Sequence, residues 1–439
     1  MPGQHVTRGL IVAAPASGSG KTTVTLALIR LLAREGRAVA PFKTGPDYID
    51  GAFHRAASAG RPCCNLDVFA MRRDTIDGVM AFGARDAELV IVEGVMGLFD
   101  GAANGEGSTA DLAAMLNLPV VLVIDAARQS QSVAALTHGF RSFRSDVSIA
   151  GLILNRVASE RHEQLLRNAL VPLQLPVLAA LPPEGDLTLP SRHLGLVQAQ
   201  ERDGLDYFLD RAADWLHRYL DRNALDAVLQ PVSLRKTPLR PVPPLGQRIA
   251  VAGDDAFAFA YPHLLEGWRL QGAELSLFSP LSNEAPAADA DAIFLPGGYP
   301  ELHAGRLAAN TALMQGLRGA AARGAAIYGE CGGYILLGEG LTDSEGRTHA
   351  MAGLLPIATS FAQRQRHLGY RRITALTDTP LGSRGSRFRG HEFHYTTEIA
   401  RGAAEPLFQA ADAEMNELGL IGARAGSVFG SYLHLIDRE

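Results

Sequence analysis

The sequence has almost no cysteine: three thiols in 439 residues, two of them the neighbours Cys63 and Cys64. That scarcity argues against a disulfide framework and for a reducing, cytoplasmic setting. Long apolar runs are missing as well. No uninterrupted stretch reaches the ~18–20 residues of a membrane-spanning helix, and Met1 to Arg8 holds no apolar signal core, so neither a span nor a leader is expected. Charge of one sign is also lacking, since the formal net charge is −5 and no long run of like charge occurs. This removes the electrostatic case for nucleic acid or an anionic membrane and leaves small molecules as the expected partners. What the chain does have is apolar content, 47% hydrophobic against 20% charged, enough for large cores in two or three domains.

The rest is organised around Leu10 to Thr23, an apolar strand running through Ala14-Pro15-Ala16-Ser17-Gly18-Ser19-Gly20 into a helix that opens at Lys21-Thr22-Thr23. Val24, Ala27, Leu28 and Leu31 recur at helical spacing, so the helix is expected to bury one face with its N-terminus at Gly20 to Thr22. Unpaired N–H groups there, together with the positive helix end, suit a polyphosphate. Lys21 would neutralise β/γ oxygens and Thr22 would reach a bound Mg²⁺. Pro15 replaces the first glycine of the usual phosphate-loop pattern. A second strand, Arg37 to Phe42, leads to Lys43 to Asp50, where Asp47 and Asp50 are candidate metal ligands or helix caps. The apolar strand Glu88 to Glu93 ends in an acid, and Glu93 is expected at the carboxyl edge of the sheet beside Thr22 as a second metal ligand. Buried strands follow at 120–125, 150–155 and 177–181, so the N-terminal fold class is α/β with a doubly wound, mostly parallel sheet. Asn155, at another carboxyl end, is a candidate for adenine recognition or a plain turn residue.

Arg192 and His193 precede a glycine turn and suit either a substrate carboxylate or a surface cap. Pro231, Pro238, Pro241, Pro243 and Pro244 then forbid continuous helix or central strand, giving a linker over 231–247 between domains 1–230 and 248–439. The second α/β domain has strand-like runs at 248–252, 275–278, 292–295 and 325–330. Its Gly329-Glu330-Cys331-Gly332-Gly333 segment places a thiol on a strand-to-helix turn, the geometry of a nucleophile elbow, where the helix end is expected to lower the thiol pKa. The base expected for it is His434, after a strand 427–433 that returns beside the elbow. His367, His391 and His394 compete, although Gly390 to Tyr395 reads as a polar loop facing a substrate. No Cys/His spacing suggests zinc.

These motifs, with Gly45 to Asp50, Arg192 to Leu196, Leu295 to His303 and His367 to Tyr370, resemble the cobyrinic acid a,c-diamide synthases, hydrogenobyrinic acid branch, over essentially the whole chain. The resemblance implies a dethiobiotin synthetase-like, ATP-dependent amide ligase fused to a class I glutamine amidotransferase-like domain. ATP would bind at Gly18, Ser19, Gly20, Lys21, Thr22, Thr23 and Asn155, and Mg²⁺ at Thr22, Asp47 and Glu93. Cys331 would be the glutamine nucleophile, His434 its base, and Gly298 and Gly332 the oxyanion-hole donors. Ile436 stands where many class I amidotransferases have Glu, which implies a Cys-His dyad. Substrate candidates are Tyr48, Asp50, Asp100, His193, Tyr370, His391 and His394. The implied partners are hydrogenobyrinic or cobyrinic acid, glutamine and ATP, with a homodimer as the expected assembly and ammonia shielded from water on its way to the acyl phosphate. Nickel-sirohydrochlorin amidation and cobyric acid synthesis are open alternatives. A switch like the MinD/ParA ATPases is a distant one, because Ala16 stands where those proteins carry a second lysine.

Overall fold

The structure is a computed structural model, and it describes residues 6–187, 191–192, 195–196, 198–199 and 204–439. Two compact units divide the described chain, 6–69 with 76–237 and 70–75 with 238–439.

In the first unit, short runs of apolar residues form strands buried on both faces, as parallel sheets require. They are β1 (Arg8–Ala13), β2 (Val39–Thr44), β3 (Cys64–Leu66), β4 (Leu89–Glu93), β5 (Val120–Asp125), β6 (Ile149–Asn155) and β7 (Val177–Leu181). Their order is β3-β2-β4-β1-β5-β6-β7, with every neighbouring pair parallel. All carboxyl ends therefore share one edge, and Ala13, Thr44, Glu93, Asp125 and Asn155 lie along it.

Helix α1 (Lys21–Arg34) begins where the loop sequence placed it, on Gly20 at φ 89°. Gly20 also has no room for a side chain, because a Cβ would stand 2.2 Å from the Asn155 amide nitrogen. The expectation of one buried face is corrected: Leu26, Ile29 and Leu32 are buried along with Val24, Ala27, Leu28 and Leu31. The reason is a second covering layer. After the short helix α2 (Asp50–Ala57), helix α3 (Leu205–Tyr219) lays Phe208, Leu209, Ala212 and Leu216 into the same core, and Arg30 pairs with Asp210 at 2.8 Å.

The second unit is built on a ten-stranded sheet. Its strands are β8 (Arg248–Ala252), β9 (Glu274–Phe278), β10 (Ala292–Leu295), β11 (Ala326–Glu330), β12 (His367–Ala375), β13 (Arg387–His394), β14 (Glu405–Ala411), β15 (Glu417–Ala425), β16 (Val428–Ser431) and β17 (Leu433–Arg438). The order is β9-β8-β10-β11-β16-β15-β14-β12-β13-β17, parallel as far as β16 and antiparallel beyond. Tyr432 alone separates β16 from β17 in sequence, yet four strands separate them in the sheet. The sheet must curl back on itself, which carries β17 and β13 round toward the elbow at the end of β11.

Two expectations change here. Gly390 to Tyr395, read as a polar loop, lies mostly inside β13, paired with β12 and β17. Its polar residues hid a strand whose His391 and His394 are buried. The proline-rich stretch is no free spacer either: Gln230–Pro231 pairs antiparallel with β1, while Leu239, Val242 and Leu245 are buried. The segment 70–75 also falls with the second unit, where Arg72 contacts the buried Asp437 at 3.0 Å.

Candidate active sites

At the carboxyl edge of the first sheet, parallel register sets Glu93 level with Val12 of β1 and Lys43 of β2. Glu93 is fully buried, and its Oε1 accepts from the Thr22 hydroxyl at 2.6 Å and from Lys43 Nζ at 2.9 Å, with Lys21 Nζ at 3.5 Å. Its Oε2 stands 2.7 Å from His54 Nε2. Lys43 also donates to Asp50 Oδ2 at 2.7 Å. Lys21, Thr22 and Glu93 therefore converge as expected, and Asp50 joins them through Lys43.

Burial opposes every charge in this cluster, and the neighbours overcome it at Glu93 and Lys43 but not at Lys21 or Asp50. Glu93 is held well below the usual carboxylate range, because Lys43, Lys21 and His54 outweigh its desolvation. Lys43 stays an ammonium, because Asp50, Glu93 and Asp47 outweigh its own. Lys21 is lowered, by burial first and then by Lys43. Asp50 is raised to about 6 by burial and then by Asp47, against the pull of Lys43.

Other expected residues have different occupations. Asp47 Oδ1 accepts from the N–H groups of Ile49 and Asp50 at 2.9 and 3.0 Å and so closes the turn that leads into α2, whose N-cap residue is Ile49. The Asn155 amide, expected at adenine, donates to the Ser19 carbonyl at 2.9 Å and so braces the phosphate loop. Ser19 Oγ closes that loop onto the Ala16 carbonyl at 2.9 Å. Asp100 accepts from Gly97 N–H at 2.8 Å and pins the turn after β4. Gly18 lies in the loop at φ 81°, Thr23 in the first turn of α1, and Tyr48 between Asp47 and α2. His193 lies outside the described residues.

In the second unit Cys331 sits between β11 and the short helix α4 (Gly332–Leu337), with φ 45° and ψ −104°. This is the strained elbow the sequence implied, and its N–H is tied to the Ser431 carbonyl of β16 at 2.8 Å. The flanking glycines are sterically required: a Cβ on Gly333 would come 1.9 Å from the Leu295 carbonyl oxygen. Gly298 and Gly332 face each other, since a Cβ on Gly332 would lie 2.9 Å from the Gly298 nitrogen. The same construction at Gly297 reaches 3.1 Å from His434 Nε2 and 3.3 Å from Cys331 Cβ, so thiol and imidazole border one small space.

The expected lowering of the thiol pKa is reversed. Burial, then Glu301, pushes Cys331 up, and the Gly332 N–H of the helix end offsets only part of this. Burial, then His391 and His394, depresses His434 to about 3. The resting pair is therefore a neutral thiol and a neutral imidazole.

His391 lies directly across from His434 in the β13–β17 register, and Tyr370 meets the His391 ring edge-on at 5.6 Å. His394 stacks on Tyr432 at 4.2 Å and gives its Nε2 to Glu392 at 2.8 Å. With His367, Glu392 and His394 form a possible ligand cluster, but Arg371 occupies the other Glu392 oxygen at 2.7 Å and the two imidazoles stack in parallel. Sequence reading missed Lys43, His54 and Glu330. For Lys43, its place at the end of a strand that pairs with the one ending in Glu93 was the available signal.

The chain matches the CobQ/CobB/MinD/ParA nucleotide binding domain over residues 10–197 and the CobB/CobQ-like glutamine amidotransferase domain over residues 248–439. These matches and the two sites define a class, a nucleotide-using carbon–nitrogen ligase that takes its nitrogen from glutamine. The hydrogenobyrinate a,c-diamide synthase of Brucella anthropi is 56% identical over 434 residues, 98% of each chain. Those of Rhizobium meliloti and Rhodobacter capsulatus are 53% and 50% identical over 433 residues, again 98% of this chain and 99% and 98% of theirs. The chain belongs to the cobyrinic and hydrogenobyrinic acid a,c-diamide synthase family. Among the described residues no helix is long and apolar enough to cross a membrane.

Proposed function

We propose that this chain amidates the a and c side-chain carboxylates of hydrogenobyrinic acid, or its cobalt-bearing counterpart cobyrinic acid, using glutamine and ATP. A carboxylate resists ammonia until oxygen is made a leaving group, so ATP first converts it to an acyl phosphate. The N–H groups of Gly18 to Thr23 and the Lys21 ammonium hold the phosphates, and Asn155 keeps the loop in shape. Thr22 Oγ1 and Glu93 Oε1, 2.6 Å apart, are hard oxygen donors that fit Mg²⁺, which supplies charge neutralisation on the phosphoryl oxygens. Lys43 then keeps Glu93 and Asp50 ionised and in place. Tyr48, Asp50 and Asp100 are the candidates in the first unit for receiving the substrate side chain.

In the second unit His434 takes the Cys331 proton as the thiolate attacks the glutamine amide carbon. The N–H groups of Gly298 and Gly332 take up the oxyanion, His434 returns its proton to the amide nitrogen so that ammonia leaves, and water later cleaves the thioester. The observation that carries this reading is the pairing, within one chain, of the Thr22–Glu93 cluster with a strained cysteine elbow facing His434. The site is proposed to work in the cytoplasm and in a homodimer. Purified protein incubated with ATP, Mg²⁺ and glutamine against hydrogenobyrinic acid, cobyrinic acid and nickel-sirohydrochlorin tests it: mass spectrometry should count two amidations on the first or second substrate. Two amidations only on nickel-sirohydrochlorin would overturn it.

A further inference from the structure

The Cys331–His434 pair lacks the usual third member, because Ile436 is an apolar core residue, 1% exposed. A different carboxylate is aimed at the imidazole. Glu330, the residue before the nucleophile, is 1% exposed, and its Oε1 is fixed by the Tyr328 hydroxyl at 2.9 Å and the Leu435 N–H at 3.0 Å. Both anchors are rigid. Tyr328 stacks between Phe294 and Phe429, and Leu435 directly follows His434 on β17. The other oxygen, Oε2, is buried without a hydrogen-bond partner and points to His434 Nδ1 at 3.8 Å. The Nε2 edge of the same ring faces Gly297 and Cys331. Glu392 cannot serve instead, because Arg371 and His394 already hold its two oxygens.

We propose that Glu330 is the positioning residue of the glutamine site: its Oε2 accepts the Nδ1 proton of His434, which fixes the tautomer whose Nε2 carries no proton and takes that of Cys331. The inference rests on the dyad reading above. A separation of 3.8 Å is longer than a hydrogen bond, and a small side-chain rotation closes it once imidazolium forms. The carboxylate does not take the proton. It orients the ring and balances the charge as proton passes from sulfur to Nε2. Burial lifts Glu330 to about 8, so the ionised form that accepts from Nδ1 is the minor one in the resting site at pH ~7 and is favoured as positive charge develops on the facing ring.

Glu330→Gln is nearly isosteric and keeps an oxygen for Tyr328 and Leu435, but presents an N–H to Nδ1. A purely structural Glu330 would tolerate it. The positioning role predicts a loss of glutaminase kcat of roughly 100-fold or more with KM for glutamine unchanged, and ammonia-dependent synthesis at the parent level. Cys331 alkylation by iodoacetamide, followed by peptide mass spectrometry, should slow in Glu330→Gln and in His434→Ala but no further in the double variant, because Glu330 acts only through His434. Tyr328→Phe, which removes one anchor, should lower kcat in the same direction by a smaller factor. Parent-level kcat in both Glu330→Gln and Tyr328→Phe, or additive effects in the double variant, would overturn the inference. If His434→Ala itself kept parent glutaminase activity, the dyad reading would be the one to fall.

Discussion

Lys43→Met tests whether one buried ammonium holds the nucleotide site together. The side chain is 3% exposed and spans Asp50 Oδ2 at 2.7 Å and Glu93 Oε1 at 2.9 Å, both carboxylates themselves buried. Removing one partner from a buried ionic group strands the others and costs about 3–5 kcal/mol. Here Lys21 at 3.5 Å and His54 at 2.7 Å remain on Glu93, so the lower end, about 3 kcal/mol, is expected. For a unit of this size that is a fall in melting temperature of roughly 6–12 °C.

The chain has two tryptophans, Trp215 in the first unit and Trp268 in the second, so Trp215 fluorescence in a Trp268→Phe background reports the first unit alone. The deficit should depend on pH. The folded pKa of Asp50, about 6, lies above its unfolded value. Ionising it therefore costs stability, a penalty that is absent below the unfolded value of about 3.9 and complete above about 6. Without Lys43 the folded value climbs further, so the deficit should be widest near pH ~8 and narrow toward pH ~5. Melting within about 1 °C of the parent at both pH values would refute this account of Lys43.

Cys331→Ala should abolish glutamine-dependent amidation and retain amidation with ATP and high ammonium salt at raised pH, where free NH₃ is abundant; loss of both by a folded variant would sink the division of labour. Lys21→Ala should fail with either nitrogen source, with kcat down by about 100-fold or more, and a change in KM alone would reduce Lys21 to a docking residue. Glu93→Gln should fall furthest at limiting Mg²⁺, whereas parent-level turnover there would remove Glu93 from the ligand set. Gly298→Ala would put a Cβ 1.9 Å from the Ala256 carbonyl oxygen and displace the oxyanion N–H, so glutaminase kcat should drop with ammonia-dependent synthesis intact.

The sequence alone determined the two devices built from contiguous residues. A phosphate loop is a strand, a few small residues and a helix start, and it is revealed by Gly18 and Gly20, whose positive φ the loop requires, together with the Lys21 ammonium and Thr22 hydroxyl at the helix start. The Cys331 elbow was legible for the same reason, since its Gly-Glu-Cys-Gly-Gly run permits a backbone that side chains would block. Tertiary structure decided whatever depended on register between distant segments. Parallel pairing of β2 with β4 sets Lys43 beside Glu93, and the first turn of α2 turns Asp50 inward while Asp47 closes the turn before it. Curling of the second sheet brings β17 to β11 and so Glu330 to His434. The thiol pKa was not legible in the sequence for a related reason. A helix end is visible in sequence, but desolvation depends on everything folded around the sulfur, and in this protein it outweighs the helix.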